Sequence, residues 1–110
     1  MAETPEGKIK RKILAWIKAT WPDSYSFRYP AGMFGRAGVP DIIACIEGFF
    51  VAIEVKRDVG RATGLQILEL KSIQKAKGVA VLIYGFDTVK LEKLRVIING
   101  KVQRIHLAGP

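Results

Sequence analysis

The 110-residue chain contains one cysteine and one histidine. A single thiol cannot form an internal disulfide bond, so Cys45 is expected to be a free thiol in a reducing cytoplasm. His106 has no second histidine, cysteine or aspartate nearby in sequence with which to form a metal site or a catalytic pair. The chemistry of this chain is therefore expected to rest on other residue types.

Long apolar runs are also missing. No uninterrupted stretch approaches the roughly 20 apolar residues that a membrane-spanning helix requires, and the first seven residues hold no apolar signal region. Internal repeats and low-complexity linkers are absent from the sequence. With 49% hydrophobic and 25% charged residues, the composition predicts one soluble intracellular domain over residues 1–110.

Acidic residues are scarce relative to basic ones. Ten Asp and Glu stand against 18 Lys and Arg, which gives a net charge of +8. This excess favours an anionic partner, either nucleic acid or an acidic membrane surface. A membrane role needs a basic amphipathic helix, and the first predicted helix qualifies only in part because its apolar stripe is better used against a sheet. Nucleic acid is the preferred partner.

The informative stretch runs from Gly38 to Lys56. Two apolar runs, residues 42–46 and 49–56, meet at Glu47-Gly48, which predicts a β-hairpin. Side chains alternate along a strand, so Glu54 and Lys56 project from the same face at the end of the second run. Asp41 opens the first run after Pro40, and pairing through the turn brings it opposite the end that carries Glu54 and Lys56.

Two acids and a lysine at one point suit phosphodiester chemistry. Carboxylates hold divalent cations such as Mg²⁺ or Mn²⁺, which lower the pKa of bound water, and a lysine orients that water or stabilises the charged phosphorane. The alternative is a surface salt bridge between Glu54 and Lys56, with Asp41 as a turn residue. Glu-x-Lys alone favours this alternative. The Pro40-Asp41 pair before it favours the functional interpretation.

These residues carry a resemblance to a known family. Pro40-Asp41 followed by Glu54-Val55-Lys56 resembles the motif of the PD-(D/E)xK nuclease superfamily. Together with the blocks at residues 35–41 and 60–66, it resembles the VRR-NUC family, and the match extends from Glu6 to about Leu82. The family is widespread in phages and bacteria, so the resemblance implies the cytoplasm of a bacterial or phage-infected host cell.

The resemblance also implies roles for individual residues. Metal binding falls to Asp41, Glu54 and the backbone carbonyl of Val55, with Glu6 as a further acid from the first helix. Catalytic roles extend to Lys56 and Gln66. Divalent Mg²⁺ or Mn²⁺ is the implied cofactor.

Two of these assignments have alternatives in the sequence. A first helix is predicted from Thr4 to about Thr20, where Glu6 is either a site residue or only a favourable charge at the helix N-terminus. Gln66 closes a capping box with Thr63 at the start of the second helix, so it caps the backbone, lines the site, or does both. The basic residues predicted to contact DNA phosphates are Lys10, Arg36, Arg57 and Arg61.

The remaining segments complete the predicted architecture. A glycine-rich loop at residues 30–38 delivers Asp41, with Met33 and Phe34 expected to pack rather than to wedge between bases. The second helix is predicted to end near Lys77 at Gly78, and residues 79–84 to form a central strand. Asp87 caps a short third helix that ends near Arg95 with Val89 and Leu94 inward, and Asn99-Gly100 predicts a hairpin over residues 96–107.

The sequence therefore predicts an α/β fold with a restriction-endonuclease-like αβββαβ core, a mixed sheet flanked by helices, a C-terminal helix and a β-hairpin. The predicted function is a divalent-metal-dependent, structure-specific DNA endonuclease. By analogy with junction resolvases, we expect a homodimer that acts on four-way (Holliday) junctions. The alternatives are a flap-cutting, nicking or restriction-like nuclease on the same core, or a nucleic-acid-binding module without turnover.

Overall fold

The structure is a computed structural model and describes residues 2–30 and 36–108. The helices and strands are α1 (Pro5–Thr20), β1 (Tyr25–Arg28), β2 (Ile42–Ile46), β3 (Phe49–Lys56), α2 (Gly64–Lys75), β4 (Val79–Tyr84) and α3 (Thr88–Ala108). The sheet has the order β1-β2-β3-β4, antiparallel through β3 and parallel between β3 and β4. The predicted αβββαβ core is confirmed. The predictions for Met33 and Phe34 lie outside the described residues.

The sheet separates two apolar cores. On one face, α1 and α3 pack against the sheet through fully buried side chains such as Ile13 and Ile98. On the other face, α2 contributes Leu70 to a smaller core with Ala52 and Ala80. Strand β3 supplies both cores because its side chains alternate, as the sequence predicts. Its charged end is therefore held by apolar packing on both sides.

Both N-terminal helix caps are present as predicted. The Thr4 hydroxyl accepts from the backbone N–H of Gly7 at 3.0 Å, and Thr63 forms a capping box with Gln66. The C-terminal end of α2 differs from the prediction, since the helix ends at Lys75 and Lys77 takes the positive φ of 75°. Gly78 serves close packing instead, because a Cβ there would lie 2.7 Å from Ile73 Cγ2.

Strand β4 is at the edge of the sheet, so its prediction as a central strand is wrong. Its continuous apolar run has a different physical cause. Val79 and Ile83 face the core shared by α1 and α3, whereas Ala80 and Leu82 face α2. Because helices cover both faces of the strand, its side chains are apolar on both faces. A continuous apolar run therefore indicates that both faces are covered, and it does not indicate two neighbouring strands.

The predicted hairpin over residues 96–107 is wrong, because α3 continues through it to Ala108. Buried Leu91, Leu94 and Ile98 recur at helical spacing, and their packing outweighs the turn preference of Asn-Gly. Trp21 Nε1 donates to Asn99 Oδ1 at 3.0 Å, which holds the expected turn residue in the helix. Asp87 caps the helix as predicted, but Val89 is exposed rather than inward. No helix within the described ranges is long and apolar enough to cross a membrane.

Candidate active site

The strand register brings the two predicted acids together. Ile42 pairs with Ile53, so the next position on each strand places Asp41 opposite Glu54. Asp41 Oδ2 accepts a 2.8 Å hydrogen bond from the backbone N–H of Val55. Cross-strand neighbours in an antiparallel pair project from the same face. The hairpin therefore places both carboxylates at the same end and on the same face of the sheet.

Glu54 is a buried acid with incomplete hydrogen bonding. Its side chain is almost fully buried, with a residue exposure of 1%. Oε2 accepts from Gln66 Nε2 at 3.2 Å and lies 3.5 Å from Lys56 Nζ, whereas Oε1 is buried without a hydrogen-bond partner. Burial, and then the neighbouring Asp41 carboxylate, raise the pKa of Glu54 to about 8, against the opposing effect of Lys56. The fold thus holds an acid where its charged form is costly.

Gln66 joins the second helix to the acid pair. Its Oε1 accepts from the backbone N–H of Thr63 at 2.8 Å while its Nε2 donates to Glu54. The capping and site interpretations are therefore compatible, because one amide makes both contacts at once. The same helix start packs against Gly38, where a Cβ would lie 2.8 Å from the Leu65 carbonyl atoms and φ is 84°. Glycine at this position lets the chain approach α2 closely just before Asp41.

Lys10 lies between two acids on the side of α1. Its Nζ is 3.2 Å from Asp41 Oδ1 and 3.4 Å from Glu6 Oε1. Glu6 thus reaches the site through Lys10 and does not contact the acid pair itself in these ion pairs. The sequence placed Lys10 among the DNA contacts, and only its position four residues after Glu6 hinted at an ion pair within the site. Its DNA contact stays a prediction.

The three arginines predicted to contact DNA lie around the site in different settings. Arg36 Nη2 forms an ion pair with Glu69 of α2 at 2.9 Å, a partner that no sequence pattern indicated. Arg57 and Arg61 are exposed in the connection between β3 and α2, directly after Lys56. Arg36 thus lies in the segment that leads to Asp41, and Arg57 and Arg61 lie in the segment that follows Lys56.

The donor set fits a hard divalent cation. Asp41 and Glu54 supply carboxylate oxygens, which Mg²⁺ and Mn²⁺ prefer, and Glu54 Oε1 lacks a partner. The Val55 N–H points towards Asp41, and its carbonyl projects to the same side because both groups of a strand residue do so. Three or more His, Cys, Asp or Glu side chains do not converge anywhere in the described ranges. The pair and the Val55 carbonyl are therefore the residues that would hold such a cation.

Comparisons with known proteins agree with this fold. No family model and no curated protein matches the chain. Among solved structures, one described as a VRR_NUC domain matches with a TM-score of 0.65 and 20% identity, covering 79% of this chain and 91% of the other. A VRR_NUC domain protein matches with a TM-score of 0.61 and 26% identity, covering 80% and 84%.

A third solved structure is the Archaeoglobus fulgidus Hjc, a Holliday junction resolvase. It matches with a TM-score of 0.55 and 17% identity, covering 71% of this chain and 66% of the other. These matches and the paired Asp41 and Glu54 agree with the three sequence blocks. The chain therefore shares its fold with VRR_NUC domains, as the resemblance of its motifs predicted.

Proposed function

We propose that this protein is a divalent-metal-dependent endonuclease that hydrolyses phosphodiester bonds in branched DNA. In its sharpest form the proposal is a homodimer that cuts four-way junctions. The observation that carries it is the buried Glu54 carboxylate, facing Asp41 with one oxygen unpartnered. A fold that needed only stability gains nothing from an acid in this position, because a buried carboxyl group beside a second acid is costly.

The proposed ligands for Mg²⁺ or Mn²⁺ are Asp41, Glu54 and the Val55 carbonyl. A cation held by these groups would lower the pKa of a bound water and offset charge that develops on the phosphate. Asp41 is oriented for this role by the Val55 N–H, and Glu54 by the Gln66 amide. Each carboxylate thus has one oxygen held by a hydrogen bond, which limits its rotation.

Lys56 has the role of orienting the attacking water or stabilising charge on the phosphate. Its side chain is mostly buried beside Glu54, and its ammonium lies 3.5 Å from Oε2. A fixed cation in a partly desolvated site stabilises developing negative charge more strongly than one in bulk water. Glu6 has a supporting role through Lys10 in this proposal, since its ion pair leads to Asp41.

DNA is the proposed substrate because of charge. The net charge of +8 favours a polyanion, and Arg57 and Arg61 lie exposed beside Lys56. The similarity to a Holliday junction resolvase supports branched DNA as the substrate. The flap-cutting, nicking and restriction-like alternatives share the same acid pair and differ only in which DNA is cut. A pure binding module has no use for the paired acids.

The test is cleavage of labelled four-way junction, flap, nicked and linear duplex DNA in Mg²⁺, Mn²⁺ or chelator. Wild type is compared with Asp41→Asn, which keeps an acceptor for the Val55 N–H but removes the charge. Asp58→Asn is the matched control, because Asp58 is an exposed acid in the loop after β3. We expect metal-dependent symmetric cuts at the junction by wild type and Asp58→Asn, and none by Asp41→Asn.

A second readout separates metal binding from turnover. Mn²⁺ is expected to raise the unfolding temperature of wild type and of Asp58→Asn, because a ligand that binds only the folded state stabilises that state. Asp41→Asn lacks one of the proposed ligands, so its unfolding temperature is expected to stay unchanged. If the protein binds DNA in a salt-sensitive way but cleaves none of the substrates in any metal, the endonuclease proposal is contradicted. The alternative that then stands is a nucleic-acid-binding module without turnover. Cleavage restricted to flaps or linear duplex contradicts the junction specificity alone.

A further inference from the structure

The face of the sheet that carries the acid pair also carries exposed aromatic residues at its other end. Tyr25 pairs with Cys45, and Cys45 with Phe50, so these three side chains form one row across β1, β2 and β3. Tyr25 is 70% exposed, Phe50 is 49% exposed and Cys45 is exposed. Phe27 lies in the neighbouring row and is 40% exposed. We call Tyr25, Phe27, Cys45 and Phe50 the aromatic face.

The exposure follows from where the helices pack. On this face α2 covers the half of the sheet formed by β3 and β4, through Leu70 against Ala52 and Ala80. The opposite face is covered by α1 and α3. None of the described helices packs on the β1 and β2 half of this face, where Tyr25 and Phe27 have ring centroids 6.1 Å apart. Adjacent exposed aromatics on a regular sheet surface are typical of an interaction site.

The charges at the β1 end of the aromatic face disfavour DNA as its partner. A cavity of about 230 Å³ at its β1 end is lined by Tyr25 and Cys45 together with the carboxylates of Asp23 and Glu47. Both acids are exposed, and they would repel a phosphate backbone. A basic protein surface is the complementary partner for this end.

The other end of the aromatic face has the opposite character. Lys75 and Lys77 are exposed at the end of α2, where Gly78 lies against the Phe50 carbonyl. A second cavity of about 270 Å³ opens there between Phe50, Ile73 and Ala76, with the Arg36–Glu69 ion pair also in its lining. Acids at one end and lysines at the other make the surface complementary to itself when two copies meet through a two-fold axis. The second cavity then has room for an aromatic side chain of the partner.

We propose that the aromatic face is the homodimer interface of this protein, with the acidic end of each copy against the lysine end of the other. The proposal specifies the partner surface of the homodimer in the proposed function, but it does not depend on nuclease activity. Three aromatic side chains supply the apolar centre that stable interfaces have, and the charges form its rim. The acid site lies four residues along β2 from Cys45, on the order of 13 Å away.

The first experiment is sedimentation equilibrium of the whole chain without metal or DNA. Wild type is expected to form a species of twice the 12.2 kDa chain mass. Phe50→Glu and, separately, Tyr25→Glu are expected to raise the dissociation constant at least about 30-fold, the effect of removing an interface anchor. Val96→Glu is the matched control, because Val96 is 57% exposed on α3, outside the aromatic face. Unfolding temperatures identify any variant that fails to fold, and the other variant then serves.

The second experiment uses Cys45, which is the only cysteine in the chain. Its rate of modification by a thiol reagent is expected to fall as wild-type concentration rises through the dissociation constant. In Phe50→Glu the rate is expected to stay constant. A wild type that remains a monomer at every concentration overturns the proposal. A dimer that leaves Cys45 fully reactive, or that Phe50→Glu does not weaken, overturns it as well and indicates another face.

The same variants separate this proposal from its rivals. A monomer whose DNA binding is weakened by Phe50→Glu identifies the aromatic face as a nucleic-acid surface and overturns the dimer interface. Absence of nuclease activity in a protein that dimerises through Cys45 and Phe50 contradicts the proposed function while the interface stands. Failure of the dimer interface and failure of the proposed function therefore give different experimental results.

Discussion

The two ends of one sheet face depart from ordinary protein surfaces in opposite ways. At the acid end, Glu54 is buried although its charge prefers water; at the aromatic end, Tyr25 and Phe50 are exposed although their rings prefer the core. Both ends belong to the same strands and are held by the same apolar cores. A well-packed sheet centre thus tolerates a buried acid at one margin and exposed aromatic rings at the other. Residues placed against their solvation preference in this way indicate functional sites.

The largest effect is expected from Lys56→Ala, which removes the cation beside Glu54. We expect DNA cleavage to fall by about 10²–10³-fold, the usual loss when one group that stabilises transition-state charge is deleted. The fold and DNA binding are expected to be retained, because Lys56 lies at the end of β3 and outside both apolar cores. Single-turnover cleavage with a parallel binding measurement checks this. Unchanged cleavage contradicts the assignment of Lys56 to the site.

Glu54→Gln makes the acid end resemble an ordinary core position. The raised pKa means that the folded protein keeps a proton that the unfolded chain releases above its model value of 4.5. Wild-type stability in chelator is therefore expected to fall as pH rises from about 4.5 to about 8, by on the order of 3–5 kcal/mol from this group. Glu54→Gln should lack this decline and be the more stable protein at pH 9.

Urea unfolding of both proteins from pH 4 to pH 9 in chelator measures this difference. Glu69→Gln is the control, since that acid pairs with Arg36 on the surface of α2 and its carboxylate is not part of the acid pair. Parallel pH profiles for wild type and Glu54→Gln contradict the costly burial of the Glu54 charge.

Gly38 and Gly48 form a matched pair that isolates the contact with α2. Both have positive φ, 84° and 86°, but a Cβ at Gly38 meets the Leu65 backbone whereas nothing lies within 4 Å at Gly48. Gly48→Ala is expected to cost about 1 kcal/mol from backbone strain alone. Gly38→Ala adds displacement of α2, for a total of about 2–4 kcal/mol. Equal losses in urea unfolding contradict the close packing at Gly38.

The smallest effect is expected from Lys10→Met. Lys10 pairs with Asp41, so a divalent cation at the acid pair competes with its ammonium. Removing that charge is expected to lower, by about tenfold or less, the Mn²⁺ concentration that half-saturates the rise in unfolding temperature. Lys8→Met is the control, because Lys8 is an exposed residue of the same helix turn. A higher Mn²⁺ requirement in Lys10→Met than in Lys8→Met contradicts the competition.

Much of the fold could be predicted because its signals are local. The hairpin of β2 and β3 follows from two apolar runs and Glu47-Gly48, and its alternation alone assigns Glu54 and Lys56 to one face. The starts of α1 and α2 follow from Thr4 and Thr63, whose hydroxyls cap nearby backbone groups. Pairing through the turn then dictates that Asp41 meets Glu54. These elements need no knowledge of distant residues.

The errors occurred where distant packing overrides a local preference. Asn99-Gly100 favours a turn, but contacts of Leu94 and Ile98 with the core and of Asn99 with Trp21 keep α3 helical. The apolar side chains of residues 79–84 indicate that both faces of β4 are covered. They do not indicate whether a further strand pairs with β4. Neither outcome is encoded within a short window of sequence.

By itself, then, the sequence determined the β2–β3 hairpin, the helix caps and the residue types of the acid pair, because these depend on backbone periodicity and neighbouring hydrogen bonds. Only the tertiary structure decided that Gln66 contacts Glu54, that Lys10 contacts Asp41, and that one Glu54 oxygen is buried without a partner. Those features arise where α1, α2 and the sheet converge. Their geometry depends on how whole elements pack, which no spacing along the chain specifies.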